Sequence, residues 1–229
     1  MKLNLARRFK IIILAGLGLL LVPVVPILIY RFVAPPLTPL MLIRQRQGYQ
    51  ITYQWVRLRD IAVPVRRAAV YSEDNWFCSE ASGIDFDSLN HELSKWSDGE
   101  SPAGASTITM QLARNLFLWP GRSFIRKLLE LWITPQIALL MPKRRVIELY
   151  LNVVEFGPGI FGVQAAAQHY FRKNPSQLDV IEATRLLQVL PDPLHRDPNK
   201  LAQRELDRAD NSVMEVYFGD SKFDCTNPP

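Results

Sequence analysis

Two adjacent carboxylates, Glu73 and Asp74, are the first residues whose types could do chemistry. They lie between an apolar segment and the aromatic residues Trp76 and Phe77, so both can be kept partly out of water. Desolvation raises the basicity of a carboxylate, as a general base that deprotonates a hydroxyl group requires. An ordinary solvated Glu-Asp dipeptide is the alternative interpretation.

A second segment, residues 104–117, has the spacing of a helix with one polar stripe. At about 100° per residue, the stripe consists of Thr107, Gln111, Arg114 and Asn115. The start of such a helix offers free backbone N–H groups beside the hydroxyls of Ser106 and Thr107. An anionic ligand would fit there, with Arg114 adding charge farther along, whereas a merely solvated stripe is the alternative.

A third segment contains Arg126, Lys127 and Glu130. A spacing of four residues places Arg126 and Glu130 on the same face of a helix. The functional interpretation is a cationic clamp on a pyrophosphate, in which Glu130 orients the cations or a metal ion. The alternative is a surface ion pair worth roughly a few tenths of a kcal/mol.

A fourth segment, residues 143–152, begins with Lys143, Arg144 and Arg145. This basic run could contact nucleic acid or lipid headgroups, but we interpret it as a solvated helix start. The later polar residues are expected to be structural or to support neighbouring groups: Glu148, Tyr150 and Asn152.

Helices must position these segments, because amphipathic helical spacing dominates from residue 61 onward and alternating strands are scarce. The expected helices cover about residues 86–96 after an Asp85 cap, 106–118, 123 to Pro135 or beyond with a kink, 142–152, 178–190 and 200–218. In the first of them, core packing is expected for Phe86, Leu89, Leu93 and Trp96. The sequence therefore predicts a mainly α domain.

Residues 11–30 form an uncharged apolar stretch. As a helix at about 1.5 Å per residue it would span roughly 30 Å, the thickness of the bilayer core. We predict a transmembrane helix here rather than a cleaved signal peptide, whose apolar region has about 7–15 residues and ends in small residues. Basic residues are denser before the stretch than after it, so the following domain is expected to face outward.

The formal net charge of +5 and the pI of about 9.3 favour an anionic partner. That partner could be nucleic acid, an acidic lipid surface or a phosphorylated substrate. The two cysteines, Cys78 and Cys225, are too few and too far apart for a metal cluster or a disulfide framework. The sequence leaves open whether the two cysteines form a single disulfide.

The four segments, in this order, resemble the glycosyltransferase family 51 domain of class A penicillin-binding proteins and monofunctional peptidoglycan transglycosylases. The resemblance covers residues 55–193, and residues 32–44 resemble the juxtamembrane part of the proteobacterial monofunctional members. It rests on Glu73-Asp74-x-x-Phe77, Gly104-x-Ser-Thr-Ile-Thr-x-Gln-Leu-x-Arg-Asn-Leu-Phe117, Arg126-Lys127-x-x-Glu130, Ile147-Glu-x-Tyr-Leu-Asn152 and residues 182–191. It implies a lysozyme-like helical glycosyltransferase domain behind an N-terminal transmembrane helix.

The resemblance also implies a reaction, the polymerisation of lipid II into β-1,4-linked glycan strands with release of undecaprenyl pyrophosphate by inverting displacement. Glu73 would be the general base that deprotonates the 4-hydroxyl of the acceptor sugar, with Asp74 supporting it, and Glu130 would be the second acidic residue. The donor side of the cleft would be formed by Ser106, Thr107 and Gln111, and the donor's pyrophosphate would be held by Arg114, Arg126 and Lys127.

No cofactor is required by this resemblance, although it leaves open a divalent cation, Mg²⁺ or Mn²⁺, at Glu130. The expected partners are lipid II, the growing lipid-linked glycan chain and the membrane. Other cell-wall synthesis and division proteins are further candidates, and nucleic acid is not expected. Because the sequence has no Ser-x-x-Lys signature of a transpeptidase, cross-linking is left to other proteins.

One loop departs from the family pattern, which usually has a histidine three residues after the phenylalanine and a glycine two residues later. Here these positions are Glu80 and Ser82. An insertion of one residue would restore Gly83 and Asp85 to register but would set Ala81 where the histidine belongs. A catalytically impaired membrane scaffold is therefore one alternative function. A muralytic hydrolase, which needs no pyrophosphate clamp, is another.

The expected organisation is a bacterial inner-membrane protein with one membrane pass. Residues 1–10 are assigned to the cytoplasm, 11–30 to the transmembrane helix, 31–50 to a juxtamembrane linker, 51–218 to a periplasmic glycosyltransferase domain and 219–229 to a flexible tail.

Overall fold

A computed structural model describes residues 9–10, 18, 22–97, 106–121, 123–218 and 221–228. Most of the expected membrane helix at residues 11–30 lies outside these ranges, as do Gly104 and Ala105. In the described part of the chain, no helix combines the length and the apolar character needed to cross a membrane.

The described residues form a mainly helical structure, as predicted. The helices are α1 (Val24–Tyr30), α2 (Pro39–Arg46), α3 (Val63–Glu73), α4 (Phe86–Ser97), α5 (Ile108–Phe117), α6 (Phe124–Leu140), α7 (Lys143–Val153), α8 (Gly162–Phe171), α9 (Val180–Leu187) and α10 (Gln203–Phe218). Short 3₁₀ turns cover Leu58–Asp60, Pro175–Gln177 and Ser221–Thr226. Three short strands, β1 (Thr52–Tyr53), β2 (Glu155–Gly157) and β3 (Ile160–Phe161), form one sheet in the order β1-β3-β2. Strand β3 pairs in parallel with β1 and antiparallel with β2.

Side-chain caps explain where several helices begin. The hydroxyl of Thr107 accepts a hydrogen bond from the Met110 amide at the start of α5, and Ser123 caps α6 in the same way. The Asp85 carboxylate accepts a 3.0 Å hydrogen bond from the Ser88 amide, so its predicted role as the cap of α4 is confirmed. Pro135 lies inside α6 without ending it.

Helix α5 lies at the centre of the core. The side chains of Ile108, Met110, Leu112 and Ala113 are all fully buried. This helix packs against α6 and α7, while α3 packs against α9 and α10. Apolar residues close around α5 on several sides, so its buried polar residues are held in fixed positions.

In α4, Leu89 is buried as expected, but Phe86 is 57% exposed. The core packing predicted for Phe86 is therefore wrong, because this residue starts the helix at its outer edge. The side chains of Leu93 and Trp96 lie outside the described part of the structure.

The segment assigned to a juxtamembrane linker contains α2, which packs against α5. From α2, Arg44 forms an ion pair with Glu155 of β2, with 2.9 Å between Nη2 and Oε2. Pro35, in the same segment, accepts a 2.8 Å hydrogen bond from the Tyr53 hydroxyl at its carbonyl oxygen. These contacts attach residues 35–46 to the helical domain.

The segment expected to be a flexible tail, residues 219–229, contains the last 3₁₀ turn, Ser221–Thr226. Phe223 and Thr226, in the last 3₁₀ turn, are each only 1% exposed. Cys225 forms a disulfide with Cys78, with 5.5 Å between the Cα atoms. Burial of Phe223 attaches this turn to the core, and the disulfide attaches it to the loop that follows Phe77.

Candidate active site

Glu73 is the last residue of α3, and its carboxylate is bound to α5. Gln111 Nε2 donates a 2.8 Å hydrogen bond to Glu73 Oε2. The Tyr150 hydroxyl, fully buried in α7, donates a 3.1 Å hydrogen bond to Gln111 Oε1. Three helices therefore hold Glu73, which is only partly exposed.

Burial raises the pKa of the Glu73 carboxyl above its usual range. The hydrogen bond from Gln111 and the charge of Arg114 act in the opposite direction, and the charge of Asp74 adds to the rise. The carboxylate is thus more basic than that of an exposed glutamate, as the expected general base requires.

Asp74 lies at the start of α5. Its Oδ2 accepts a 3.0 Å hydrogen bond from the backbone N–H of Ile108. Thr107 Oγ1 accepts a 3.1 Å hydrogen bond from the Met110 amide and donates one of 2.6 Å to the carbonyl of Gly83. The helix start that was expected to offer free N–H groups to a ligand therefore already binds a carboxylate of the protein.

These internal bonds bear on two of the residues predicted for the site. Thr107 is only 4% exposed, and Asp74 has a pKa raised by burial, with the Ile108 hydrogen bond acting against the rise. Both residues are part of the packed junction between α3 and α5. Their contacts with substrate stay predictions.

Arg126, Lys127 and Glu130 form a cluster on α6. The Arg126 guanidinium is hydrogen-bonded to Glu130 Oε1, and Lys127 Nζ lies 3.8 Å from Glu130 Oε2. Lys127 Nζ also donates a 2.9 Å hydrogen bond to Ser106 Oγ, next to the start of α5. Since Arg126 and Glu130 are 8% and 1% exposed, they are not a solvated surface pair.

The cation cluster extends to α5. Burial lowers the pKa of Arg126, and the nearby charge of Arg114 acts in the same direction. Arg114 also acts on Glu73, where its charge lowers the pKa of the carboxyl. Arg114 is thus the electrostatic link between the predicted base and the predicted pyrophosphate clamp.

Glu130 does not have the surroundings of a metal ligand. Its carboxylate faces two cations, Arg126 and Lys127, which would repel a divalent ion. In the part of the chain that the structure describes, no group of three or more His, Cys, Asp or Glu side chains could hold a metal ion. The residues around Glu130 therefore do not fit a divalent cation.

A cavity of about 200 Å³ lies beside this network. Gln111, Arg114 and Asn115 of α5 contribute to its lining, together with Trp119 of the loop before α6. Neither Glu73 nor Arg126 lines this cavity. Glu73 is connected to this cavity through its hydrogen bond from Gln111.

Two further lining residues, Arg44 and Glu155, were not predicted for the site. Their side chains are 13% and 4% exposed and form the ion pair between α2 and β2. The two residues are 111 positions apart in sequence, so no local spacing links them. Sequence reasoning had no signal with which to pair them.

Lys143, expected at a solvated helix start, is partly buried instead. Its Nζ lies 4.7 Å from the centre of the Phe77 ring and has no hydrogen-bond partner among the described residues. Burial lowers the pKa of Lys143, while the charges of Asp74 and Glu80 raise it. A signal was available, because Lys143 lies one helical turn before the fully buried Ile147.

The loop after Phe77 is held by its own polar residues. Glu80 Oε1 accepts hydrogen bonds of 2.7 Å from the Ser82 amide and 2.8 Å from the Ser82 hydroxyl, which lower the pKa of Glu80. Gly83 has a φ of +74°, and an added Cβ would lie 2.9 Å from the Thr109 side chain. Position 83 therefore requires glycine, in agreement with the register that has one inserted residue.

The family model and the relatives that match this chain all describe transglycosylases. The family model for Transglycosylase matches residues 41–217. The chain is similar to the biosynthetic peptidoglycan transglycosylase of Shewanella frigidimarina, at 45% identity over 171 residues, which is 75% of this chain and 74% of that protein. Proteins with the same description from Caulobacter vibrioides and a Marinomonas species are each 42% identical over 191 residues, or 83% of this chain and 80% and 83% of theirs.

Proposed function

Because the chain belongs to the transglycosylase family, we propose that it polymerises lipid II into glycan strands with Glu73 as the general base. It is a glycosyltransferase of peptidoglycan biosynthesis. The relatives are described as biosynthetic, which favours strand synthesis over the muralytic alternative. The mainly helical structure fits the lysozyme-like domain of this proposal.

The proposed reaction is a single displacement at the anomeric carbon of the donor. Glu73 takes the proton of the acceptor's 4-hydroxyl, and the oxygen forms a bond to the anomeric carbon on the face opposite the leaving group. The bond between that carbon and the pyrophosphate oxygen breaks, and its electron pair leaves with the pyrophosphate. The observation that carries the proposal is the placement of Glu73, partly buried at the end of α3 and held by the 2.8 Å hydrogen bond from Gln111. The raised pKa that burial gives its carboxyl supports the role of general base.

The leaving group requires positive charge. Arg114, Arg126 and Lys127 supply it, because preorganised cations stabilise the charge that develops on a departing pyrophosphate. Glu130 holds the side chains of Arg126 and Lys127 in place, since its carboxylate oxygens lie less than 4 Å from their nitrogen atoms. Its single negative charge offsets only one of these two cations, so the group that they form with Arg114 keeps a net positive charge for the pyrophosphate.

The proposed location is the bacterial inner membrane, with the catalytic domain in the periplasm. The apolar stretch at residues 11–30 supports an anchor, and a tether would raise the effective concentration of the enzyme on a lipid-linked substrate. The disulfide between Cys78 and Cys225 supports an oxidising compartment. Cross-linking and division proteins are the further partners that we propose.

The test is polymerisation of lipid II by the detergent-solubilised full chain. Glu73→Gln should lower the rate by about 10²–10⁴-fold, the usual contribution of a general base. Glu215→Gln, an exposed glutamate of α10, is the matched control and should polymerise like the wild type. Equal and negligible rates for the wild type and Glu73→Gln, with precursor bound to both, would favour a scaffold instead.

A further inference from the structure

A second cavity, of about 430 Å³, lies apart from the predicted catalytic residues. Its charged lining residues are Arg31, Arg57, Arg59, Arg144, Arg145 and Glu148. It shares no lining residue with the cavity beside Gln111 and Arg114. Five arginines around one cavity make it a strongly basic site to which the proposed reaction assigns no role.

Both carboxylate oxygens of the glutamate in this cavity, Glu148, already have partners in the protein. Glu148 Oε2 pairs with Arg145 Nη1 at 2.5 Å, and Glu148 Oε1 accepts a 2.8 Å hydrogen bond from the Leu58 amide. Arg145 also donates to the carbonyls of Tyr30 and Val33, at 2.9 and 2.8 Å. Arg145 and Glu148 thus form the structural base of the cavity and neutralise one another.

The remaining four arginines lack a strong acidic partner. For Arg57 and Arg144, no side-chain hydrogen bond or ion pair is formed with any residue in the described ranges. Arg59 lies 4.0 Å from Asp60, but both side chains are more than half exposed. Arg31 is bound to the carbonyl of Leu140, which carries no net charge. The mutual repulsion of these guanidinium groups would be relieved by an anion in the cavity.

The position of the cavity indicates where that anion comes from. Arg31 directly follows the apolar stretch at residues 11–30. Phe32, which also lines the cavity, is 79% exposed, and Leu139, next to the carbonyl that binds Arg31, is 84% exposed. Because Arg145 binds the backbone of Tyr30 and Val33, the cavity is firmly joined to the end of that stretch. In a membrane-anchored chain, the end of the apolar stretch lies at the depth of the lipid headgroups, and so does the cavity.

We propose that this arginine cavity binds the phosphodiester headgroup of an acidic phospholipid, with Phe32 against the acyl region. The inference rests on the membrane location proposed above. A guanidinium group binds phosphate oxygens in pairs, and a cavity of this size has room for a headgroup. Such a lipid would hold the catalytic domain at a fixed orientation to the bilayer.

The experiment titrates pyrene-labelled phosphatidylglycerol into the full chain in nonionic detergent and measures energy transfer from tryptophan. Trp55 is a suitable donor because its ring lies 5.0 Å from the guanidinium carbon of Arg145. Pyrene-labelled phosphatidylcholine is the neutral comparison. The test variant combines Arg57→Gln, Arg59→Gln and Arg144→Gln, three exposed side chains whose removal should leave the fold intact. The charge-matched control combines Lys200→Gln, Arg204→Gln and Arg208→Gln, which are also exposed.

The wild type should bind phosphatidylglycerol at least about 10-fold more tightly than phosphatidylcholine, since each basic residue near an acidic headgroup contributes about fivefold. The test variant should lose this preference and the control should keep it. Equal binding of the two lipids by the wild type would overturn the proposal, as would an equal loss in both variants. Displacement of the lipid by millimolar inorganic phosphate, beyond the effect of sodium chloride at the same ionic strength, would instead assign the cavity to a soluble phosphate.

Polymerisation of lipid II in the same detergent separates this inference from the proposed function. The test variant contains no predicted catalytic residue and should retain the wild-type rate at saturating lipid II. A chain that prefers phosphatidylglycerol but forms no glycan would contradict the catalytic proposal only. A chain that polymerises lipid II without lipid preference would contradict the headgroup site only.

Discussion

Gln111 Nε2 lies 2.8 Å from Glu73 Oε2, and the orientation of this amide is fixed from its other side. The Tyr150 hydroxyl donates to Gln111 Oε1, so the amide must turn its N–H group toward the carboxylate. A donor facing Glu73 stabilises its charged form. Gln111 therefore sets how far burial can raise the basicity of Glu73.

Replacing Gln111 with Leu should raise the pKa of Glu73, because the hydrogen bond that lowers it is lost. The acid limb of the pH profile of kcat should move to higher pH, because the lost hydrogen bond stabilised the charged carboxylate. Tyr150→Phe, which removes only the orienting hydroxyl, should give a smaller shift in the same direction. An acid limb that stays in place in both variants would exclude Glu73 as the titrating base.

Glu73→Gln should stabilise the protein while it lowers the rate of polymerisation. The pKa of Glu73 is raised in the folded state, so folding costs free energy once the carboxyl ionises. This cost appears as the pH rises from the pKa of Glu73 in the unfolded chain, near 4.5, through its higher pKa in the folded protein. The melting temperature of the variant should exceed that of the wild type by a few °C at pH 8. In a domain of this size, a change of about 1 kcal/mol in the free energy of unfolding shifts Tm by about 2–4 °C. The difference should vanish toward pH 4, and a constant difference at all pH values would contradict the explanation.

Arg126→Met should lower both stability and polymerisation. It leaves Glu130, 1% exposed, with Lys127 as its remaining cation, and breaking a buried pair costs roughly 3–5 kcal/mol. Adding Glu130→Gln should restore most of the free energy of unfolding, measured by denaturant titration, without restoring activity. Arg196→Met with Glu205→Gln, an ion pair of 3.3 Å outside the site, should leave polymerisation unchanged. A double variant at Arg126 and Glu130 that polymerises normally would reduce this pair to a structural role.

Removing the disulfide by Cys78→Ala with Cys225→Ala should destabilise the protein by about 2–5 kcal/mol, because the bridge closes a long loop. Thermal unfolding with and without reductant measures the effect. Reduction should bring the wild type to the melting temperature of the double variant and should not change the variant. If the oxidised wild type melts at the same temperature as the double variant, the bridge contributes nothing to stability.

Local signals made much of the fold predictable. The start of α5 followed from Thr107 and the start of α6 from Ser123, because a capping hydroxyl acts within one turn. The cluster of Arg126 and Glu130 also followed from helical spacing, although spacing could not tell a buried pair from an exposed one. Burial depends on what packs over a helix face, and the four-residue spacing carries no such information.

The contacts that the sequence did not predict join distant residues or run against a common trend. Arg44 and Glu155 meet across the domain, and Phe223 is buried near the end of the chain, where fraying is the usual expectation. Lys143 was misassigned because basic residues at a helix start are mostly solvated. The aromatic face of Phe77, which keeps the ammonium of Lys143 inside, comes from another part of the chain.

The bridge from Cys78 to Cys225 also sets an order of maturation. Cys225 follows Cys78 by 147 positions, so the covalent ring cannot close until the chain has been synthesised as far as residue 225. Until then, the carboxylates at positions 73 and 74 precede a loop that is not yet fastened. Oxidation of the two cysteines is therefore a late step, and it joins the loop after Phe77 to the last 3₁₀ turn by a covalent bond.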